Sequence, residues 1–191
     1  MPPMQVSSVN VGRVESRLFE GRRVRTAIGK RPVAARVAVG RLGLAGDEQA
    51  QTRLHGGLSK AVYAYPALHY PFWQTVRAQA RTALWDDALP AGAMGENLTL
   101  TGLDETMLWI GDRLVLPGCV LAVSEPRMPC FKFGAAMGFA QAVRLMAQSG
   151  FCGAYLAVIE EGDVGTGDPV TLQPGPREVN LRELFKARLG R

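Results

Sequence analysis

Cysteine is scarce in this sequence, and the three cysteines present are far apart. They lie at positions 119, 130 and 152. An odd number of widely spaced cysteines is a poor disulfide framework, and the absence of any C-x-x-C pair argues against a structural zinc site. We therefore expect three free thiols in a reducing compartment.

Long apolar runs are also absent. No stretch of about 18 apolar residues occurs, so no membrane-spanning helix is expected. The N-terminal sequence MPPMQVSSVN has no basic start followed by an apolar block, so it does not resemble a secretion signal. A cytoplasmic location is the default expectation. With 191 residues, 47% of them hydrophobic, the chain is long enough for one well-buried core.

Several catalytic motifs are missing as well. The sequence contains no G-x-S-x-G, H-E-x-x-H, Walker A or G-x-G-x-x-G pattern, and no cluster of carboxylates with metal-ligand spacing. A serine hydrolase or a zinc protease is therefore disfavoured.

Positive charge is concentrated in the N-terminal third of the chain. Residues 1–60 carry eleven Lys and Arg against four acids, whereas residues 61–191 carry eleven against thirteen. An anionic partner should meet the N-terminal part first. It could be a phosphorylated or carboxylated small molecule or a nucleic acid, or the charge could simply make a soluble basic surface. Nucleic acid is the least favoured, because Phe19 is the only aromatic residue near the arginines of residues 22–25.

Short apolar runs separated by turn-forming residues dominate the chain and predict β-strands. The predicted strands are Val6–Val11, Val33–Val39, Ala61–Tyr65, Leu98–Leu100, Met107–Ile110, Leu114–Leu116, Val120–Val123, Tyr155–Ile159 and Val170–Leu172. Many short strands separated by turn-forming residues at regular intervals favour a mostly β fold, namely a closed or nearly closed β-barrel with a few peripheral helices.

Three helices are predicted between and after these strands. The first covers Pro66–Arg81, with its start delayed or kinked by Pro71. The second has apolar residues spaced i, i+4, i+7 from Phe139 and ends at Gly150. The third begins at Asn180, which has the character of an N-cap.

The chain reads as a single domain over residues 1–175, with a core at about 30–172, followed by an amphipathic C-terminal helix over 176–191. We expect that helix to dock on the body of the protein or on a second subunit, which makes a homodimer plausible. Binding to a membrane is the less favoured alternative.

The segment EPRMPCFKFG, residues 125–134, places a cysteine between cations. Arg127 and Lys132 lie within three residues of Cys130. If the chain stays extended, Cys130 and Lys132 project from the same face, and the nearby cations would favour a lowered thiol pKa. The alternative is a buried, inert thiol. Cys119 and Cys152 lie beside apolar strands and are interpreted as structural.

Three further segments contain candidate functional residues. His55 precedes Gly56-Gly57 and is flanked by Arg53 and Lys60. This segment is either an anion-facing turn beside a group that titrates near neutral pH, or a tight hairpin with a surface histidine.

The other two segments are weaker. Asn97 follows Gly95-Glu96 and could contact the edge of a heterocycle or stabilise an ordinary turn. Lys30 lies in the basic loop RTAIGKRP, residues 25–32, before a predicted strand. His69, on the first predicted helix, is interpreted as a structural histidine.

Taken together and in order, these segments resemble the MOSC domain family, and more narrowly its YiiM-like branch. The resemblance runs from about Val6 to Leu172. It is carried by SSVNVG, TAIGKRPV, GLAGDEQA, RLHGGLSKAVYAYPALHY, GENLTLTGL, IGDRL, EPRMPCFKFG and SGFCGAYLAVIEEGDVGTGDPV.

The resemblance implies a MOSC-type, pyruvate-kinase-barrel-like β-barrel that binds molybdenum cofactor (molybdopterin). It implies that Cys130 is a molybdenum ligand or a sulfur-carrying thiol. It also implies a cleft for the cofactor lined by basic and polar residues, namely Lys30, Arg53, Lys60, Asn97, Arg127 and Lys132. His55 is assigned as a proton shuttle, on its motif position and its pKa range.

The function implied by the resemblance is reduction of a small N-hydroxylated substrate, such as 6-hydroxylaminopurine or an amidoxime, by electrons from an unidentified donor. Two alternatives remain: a sulfur carrier or sulfurtransferase that uses a Cys130 persulfide, and a non-catalytic cofactor-binding module.

Overall fold

The computed structural model describes residues 3–19, 21–50 and 56–190. Its main element is one eight-stranded sheet. The strands of this sheet are β1 (Gln5–Val11), β4 (Arg31–Pro32), β7 (Val62–Pro66), β8 (Leu98–Thr101), β9 (Arg113–Val115), β10 (Val120–Pro126), β11 (Ala154–Glu160) and β13 (Thr171–Gln173). Their order is β13-β9-β10-β11-β7-β8-β1-β4, and every neighbouring pair is antiparallel except β7 with β8.

Two smaller sheets accompany the main one. Strands β5 (Val37–Gly40), β6 (Gly43–Leu44) and β12 (Gly162–Val164) form a three-stranded sheet. Strands β2 (Glu15–Phe19) and β3 (Arg22–Thr26) form a separate two-stranded hairpin.

The mostly β class with a few helices is confirmed, but a closed barrel is not found within the described residues. Strands β13 and β4 end the order of the main sheet and are not paired with each other. Strand β1 approaches the start of β13 through a single bridge between Gln5 and Pro169. Backbone hydrogen bonds flank this bridge, from Val6 N to the Asp168 carbonyl and from Val170 N to the Met4 carbonyl, but no continuous ladder joins β1 to β13 in the described residues.

The predicted strands coincide with observed ones at most positions, with two exceptions. Of the predicted strand Val33–Val39, only the part from Val37 onward is paired in a sheet, as β5. The run Met107–Ile110 forms no strand, and the prediction there is wrong. Its buried Leu108 belongs to the core, and the Leu108 carbonyl accepts a hydrogen bond from Leu181 N at the start of the last helix.

Four α-helices are present in the described part of the chain. They are α1 (Tyr70–Gln79), α2 (Phe131–Met137), α3 (Gln141–Ser149) and α4 (Leu181–Arg188), with short 3-10 turns at Leu58–Lys60 and Ala67–His69. Pro71 occupies the first turn of α1 and so delays its start, as predicted. Helix α3 ends at Gly150, whose φ of 74° is favoured by glycine. Asn180 caps α4 as predicted.

Two hydrophobic clusters fill the interior. One lies within the sheets and includes Val6, Leu98, Leu121 and Leu156. The other joins the sheet to the helices and includes the fully buried Trp73. Helix α4 contributes to both clusters, through Leu181 and Phe185 respectively. The C-terminal helix is thus docked on the body of the protein.

In the described ranges, none of the helices has the length and apolar character needed to cross a bilayer.

Candidate functional site

A cleft of about 90 Å³ opens between the basic N-terminal segments and the start of α2. The predicted site residues that the structure describes all line this cleft: Lys30, Lys60, Asn97, Arg127, Cys130 and Lys132. The remaining two, Arg53 and His55, lie outside the described residues.

Cys130 stands at the point where the chain changes from strand to helix. Its φ and ψ of −140° and 164° are extended, and helix α2 begins at the next residue. The chain is therefore not extended through Lys132, which was the condition for Cys130 and Lys132 to project from the same face, since Cys130 C=O already accepts the helical bond from Phe133 N at 3.0 Å. The thiol is only partly buried and faces the cleft.

Arg127 is a buried cation at the base of the cleft, with 5% of its surface exposed. Its Nη1 donates to the carbonyl of Met94 and, at 3.4 Å, to the hydroxyl of Tyr63. The guanidinium also lies over the rings of Tyr63 and Phe133, 4.9 and 5.4 Å from their centres. Among the described residues, no carboxylate forms an ion pair with it. Because burying an unpaired charge is costly, an anion in the cleft would stabilise this arrangement.

Lys132 is a second buried cation beside the thiol. It is 6% exposed, and its Nζ donates to the carbonyl of Arg25 at 2.8 Å. Within the described ranges it too forms no ion pair with a carboxylate. The six-residue segment from Arg127 to Lys132 thus presents two positive charges and one sulfur atom to the same cleft.

Lys30 differs from these two cations because its charge is already matched. It forms an ion pair with Asp47, and both side chains are nearly buried. Burial lowers the pKa of Lys30, while the Asp47 carboxylate opposes that shift. Asp47 also accepts hydrogen bonds from Gly12 N and Asn97 Nδ2, each at 2.8 Å. This carboxylate therefore joins three separate segments of the cleft wall.

The side chain of Asn97 is occupied by contacts within the protein. Its Oδ1 accepts from Tyr63 N at 3.1 Å, and its Nδ2 donates to Asp47 and to the carbonyl of Asn10. Asn97 is 4% exposed. These contacts position the wall of the cleft.

Lys60 lies on the opposite side of the cleft, next to Tyr155. Its Nζ is 3.6 Å from Glu125 Oε2 and 5.7 Å from the centre of the Tyr155 ring. The same Glu125 oxygen accepts from Arg188 of helix α4 at 2.8 Å. One carboxylate therefore connects the C-terminal helix to a cleft lysine.

Sequence reasoning missed two tyrosines of the cleft, Tyr63 and Tyr155. They are directly paired across strands β7 and β11, and their ring centres are 5.3 Å apart. Burial raises the pKa of both phenols, so both hydroxyl groups keep their protons at neutral pH. Both lie in apolar runs that predict core strands, and only their hydroxyl groups could have indicated a polar role.

The other candidate residues are structural, as the sequence indicated. Burial raises the pKa of Cys119 to about 11 and that of Cys152 well above its usual value. His69 Nε2 lies 2.7 Å from Glu105 Oε2, and its ring stacks on Phe151 at 3.8 Å. None of the three lines the cleft.

Comparison with known proteins gives a consistent family. The model of the MOSC domain matches residues 51–171. The chain is 40% identical over 162 residues to the uncharacterized protein YflK of Bacillus subtilis, covering 85% of this chain and 70% of that protein.

A solved structure and a longer fungal protein extend the comparison. The crystal structure of YiiM from Geobacillus stearothermophilus has a TM-score of 0.76 and 32% identity, covering 97% of this chain and 84% of that one. A protein of Gibberella moniliformis named Reductase is 32% identical over 97% of this chain, which spans 33% of that protein.

Proposed function

Because the chain belongs to the MOSC domain family, we propose that it binds molybdenum cofactor in the cleft beside Cys130. We further propose that it reduces N-hydroxylated compounds with electrons from an external donor. The observation that carries the proposal is the pairing of a cleft-facing thiol with two buried cations, Arg127 and Lys132, that have no carboxylate partner among the described residues.

The residues present fit such a cofactor. A pterin phosphate is an anion, and buried guanidinium and ammonium groups are its natural partners. A cysteine thiolate is a soft ligand of the kind that suits a transition metal. The described residues hold no cluster of three His, Cys, Asp or Glu suited to a metal ion. Cys130 is therefore offered as a single protein ligand.

In this proposal, the residues named here either would hold the cofactor or fix the cleft wall. Arg127 and Lys132 hold the anionic part of the cofactor, and Cys130 provides the sulfur. The Asp47 carboxylate fixes Lys30 and Asn97 in the wall. The cofactor, when bound, supplies the two-electron redox couple.

The overall reaction balances with a two-electron donor. One N-hydroxylamine, two electrons and two protons give one amine and one water, as the N–O bond breaks and N–H and O–H bonds form. The Tyr63 hydroxyl donates to the carbonyl of Cys152 at 2.8 Å and accepts from Arg127, so it helps to position the guanidinium at the cleft. His55 remains the predicted proton shuttle.

The test is elemental analysis of protein made in a host that synthesises molybdenum cofactor. We expect molybdenum in the wild type, and a loss of metal and of 6-hydroxylaminopurine reduction by reduced methyl viologen in Cys130→Ser. Cys119→Ala, which removes a buried thiol outside the cleft, is the matched control and should keep both properties.

Two results would reject the proposal. Full reductase activity in Cys130→Ser would remove the thiol from the chemistry. An added mass of one sulfur on Cys130 that is lost with reductant, in protein that binds no molybdenum, would identify a sulfur carrier instead.

A further inference from the structure

The β2–β3 hairpin presents one face to solvent. Strand pairing places Ser16 opposite Arg25 and Leu18 opposite Arg23. Since directly paired residues project to the same side of a two-stranded ladder, these four side chains share a face. All four are exposed, and Leu18 is 69% exposed. We call this surface the hairpin outer face.

The positive charges of the hairpin outer face are not neutralised within the described part of the protein. Neither Arg23 nor Arg25 forms an ion pair there, in contrast to Arg17 on the other face, which pairs with Glu15. An exposed leucine beside two arginines without ion pairs is typical of a protein-binding surface, because interfaces are enriched in arginine around apolar contacts.

The hairpin outer face is also close to the cleft along the chain. The carbonyl of Arg25 accepts a hydrogen bond from Lys132 Nζ, and Thr26, the next residue, is buried and lines the cleft. Lys132 is two residues from Cys130. The hairpin outer face is thus carried by the same strand, β3, whose last residue lines the cleft.

We propose that the hairpin outer face docks an acidic electron-transfer protein, of the iron–sulfur or flavin class, that supplies electrons to the cleft. This inference rests on the proposed function. Each turnover oxidises the partner by two electrons in total and, with two protons from solvent, converts the N-hydroxylated substrate to amine and water. Charge complementarity assigns the partner's acidity, since unlike charges steer association and like charges suppress it.

Nucleic acid fits this face less well. Strand-binding surfaces combine positive charge with aromatic side chains on which bases stack. The hairpin outer face has no aromatic residue and has an aliphatic leucine opposite Arg23. A folded protein with acidic side chains around an apolar contact matches it better.

The first test is binding of an acidic plant-type [2Fe–2S] ferredoxin, measured by calorimetry at low and moderate ionic strength. We expect the double variant Arg23→Glu/Arg25→Glu to bind at least about tenfold more weakly at low salt, and to lose most of the salt dependence. Leu18→Ala should weaken binding at both salt concentrations. Arg113→Glu, an exposed arginine on β9, is the matched control and should bind as the wild type does.

The second test separates docking from chemistry. Reduced methyl viologen needs no docking surface, so all variants should reduce 6-hydroxylaminopurine with it at the wild-type rate. With reduced ferredoxin, the double variant should be slower by about tenfold or more.

The outcomes are distinct. No turnover with viologen in the wild type rejects the proposed function. Turnover with viologen but no binding of ferredoxin, or equal binding by the double variant, rejects the docking surface. Binding of a single-stranded polynucleotide in place of ferredoxin, lost in the double variant, assigns the face to nucleic acid and also rejects it.

Discussion

At the scale of single residues, the environment of each thiol decides its chemistry. Cys119 is 4% exposed and Cys152 fully buried, while Cys130 is partly exposed at the cleft. A thiolate is the nucleophile and the metal ligand, and burial in apolar surroundings disfavours it. Three cysteines of one chain are therefore expected to differ in reactivity.

We predict that iodoacetamide modifies Cys130 alone in the folded protein at pH 8. A thiol whose pKa is raised to about 11, as in Cys119, is only ~0.1% thiolate at that pH, and Cys152 is shifted in the same direction. Peptide mass spectrometry after short exposure measures the sites.

The control for this labelling is Cys130→Ser, which should stay unmodified when folded and should react at the two other cysteines when denatured. Label on Cys119 or Cys152 of the folded wild type at a rate similar to that on Cys130 would contradict the prediction.

At the scale of secondary-structure elements, helix α4 is fixed by its N-cap residue, Asn180. Asn180 Oδ1 accepts from Arg182 N at 2.9 Å, which satisfies one of the free N–H groups of the first turn. Asn180 Nδ2 donates to the carbonyls of Thr106 and Leu108 at 3.0 and 3.1 Å. One amide therefore caps the helix and ties it to the core.

We predict that Asn180→Ala lowers the free energy of unfolding by about 2 kcal/mol, because it removes a helix cap and the two hydrogen bonds from Asn180 Nδ2 to the carbonyls of Thr106 and Leu108. Urea denaturation followed by circular dichroism gives the value.

Glu183→Ala is the comparison for the cap. It changes an exposed acid of the same first turn and should cost only a few tenths of a kcal/mol, through the helix dipole. If both variants lost the same stability, the contacts of Asn180 would not be what holds α4.

The sequence predicted most elements but not all. Periodicity located α1, α3 and the long strands, because their apolar residues repeat with the period of the element. The hairpin formed by β2 and β3 escaped detection, since RRVRT has too few apolar residues to show alternation. Helix α2 was not predicted, because its seven residues are too few to show a helical period.

The candidate site was likewise predicted only in part. Cys130 and the basic residues of the cleft were assigned from the family resemblance, whereas Asp47, whose carboxylate pairs with Lys30 in the cleft wall, was not predicted. Tyr63 and Tyr155 were not found, because only strand pairing brings them together from positions 92 residues apart. The hydrogen bond from Asn97 Nδ2 to Asp47 was not predicted either, because it joins residues 50 positions apart in the sequence.

At the scale of the whole molecule, one arginine links segments where the main sheet stays open. Arg36 precedes β5, and its guanidinium contacts Asp163 of β12 and Asp168 near the start of β13. Asp168 also accepts from Gly165 N at 2.9 Å. The smaller sheet is thereby connected to the edge of the larger one.

We predict that this connection weakens in acid. The hydrogen bond from Arg36 holds the pKa of Asp168 below its usual value. A carboxyl group with a lowered folded-state pKa stabilises the fold above its unfolded pKa of ~3.9, and that stability is lost as pH falls through the folded value. The difference in Tm between wild type and Arg36→Gln should therefore be largest at neutral pH and shrink towards pH 3.

The measurement is a series of thermal melts from pH 7 to pH 3. Arg113→Gln, an exposed arginine with no ion pair among the described residues, should show little difference from the wild type at any pH. A gap between wild type and Arg36→Gln that stayed constant over the series would show that the Asp168 carboxylate does not sense this arginine.

The short segment from Arg127 to Lys132 has one more consequence. Both buried cations and the sulfur come from six consecutive residues, so their mutual spacing is set by a single turn of backbone between β10 and α2. Movement of another wall segment, such as residues 47–50, would leave the backbone spacing within this segment unchanged. The length of this segment therefore sets the spacing between the sulfur and the two charges. Lengthening it by one residue would damage the cleft more than an insertion in any of its other walls.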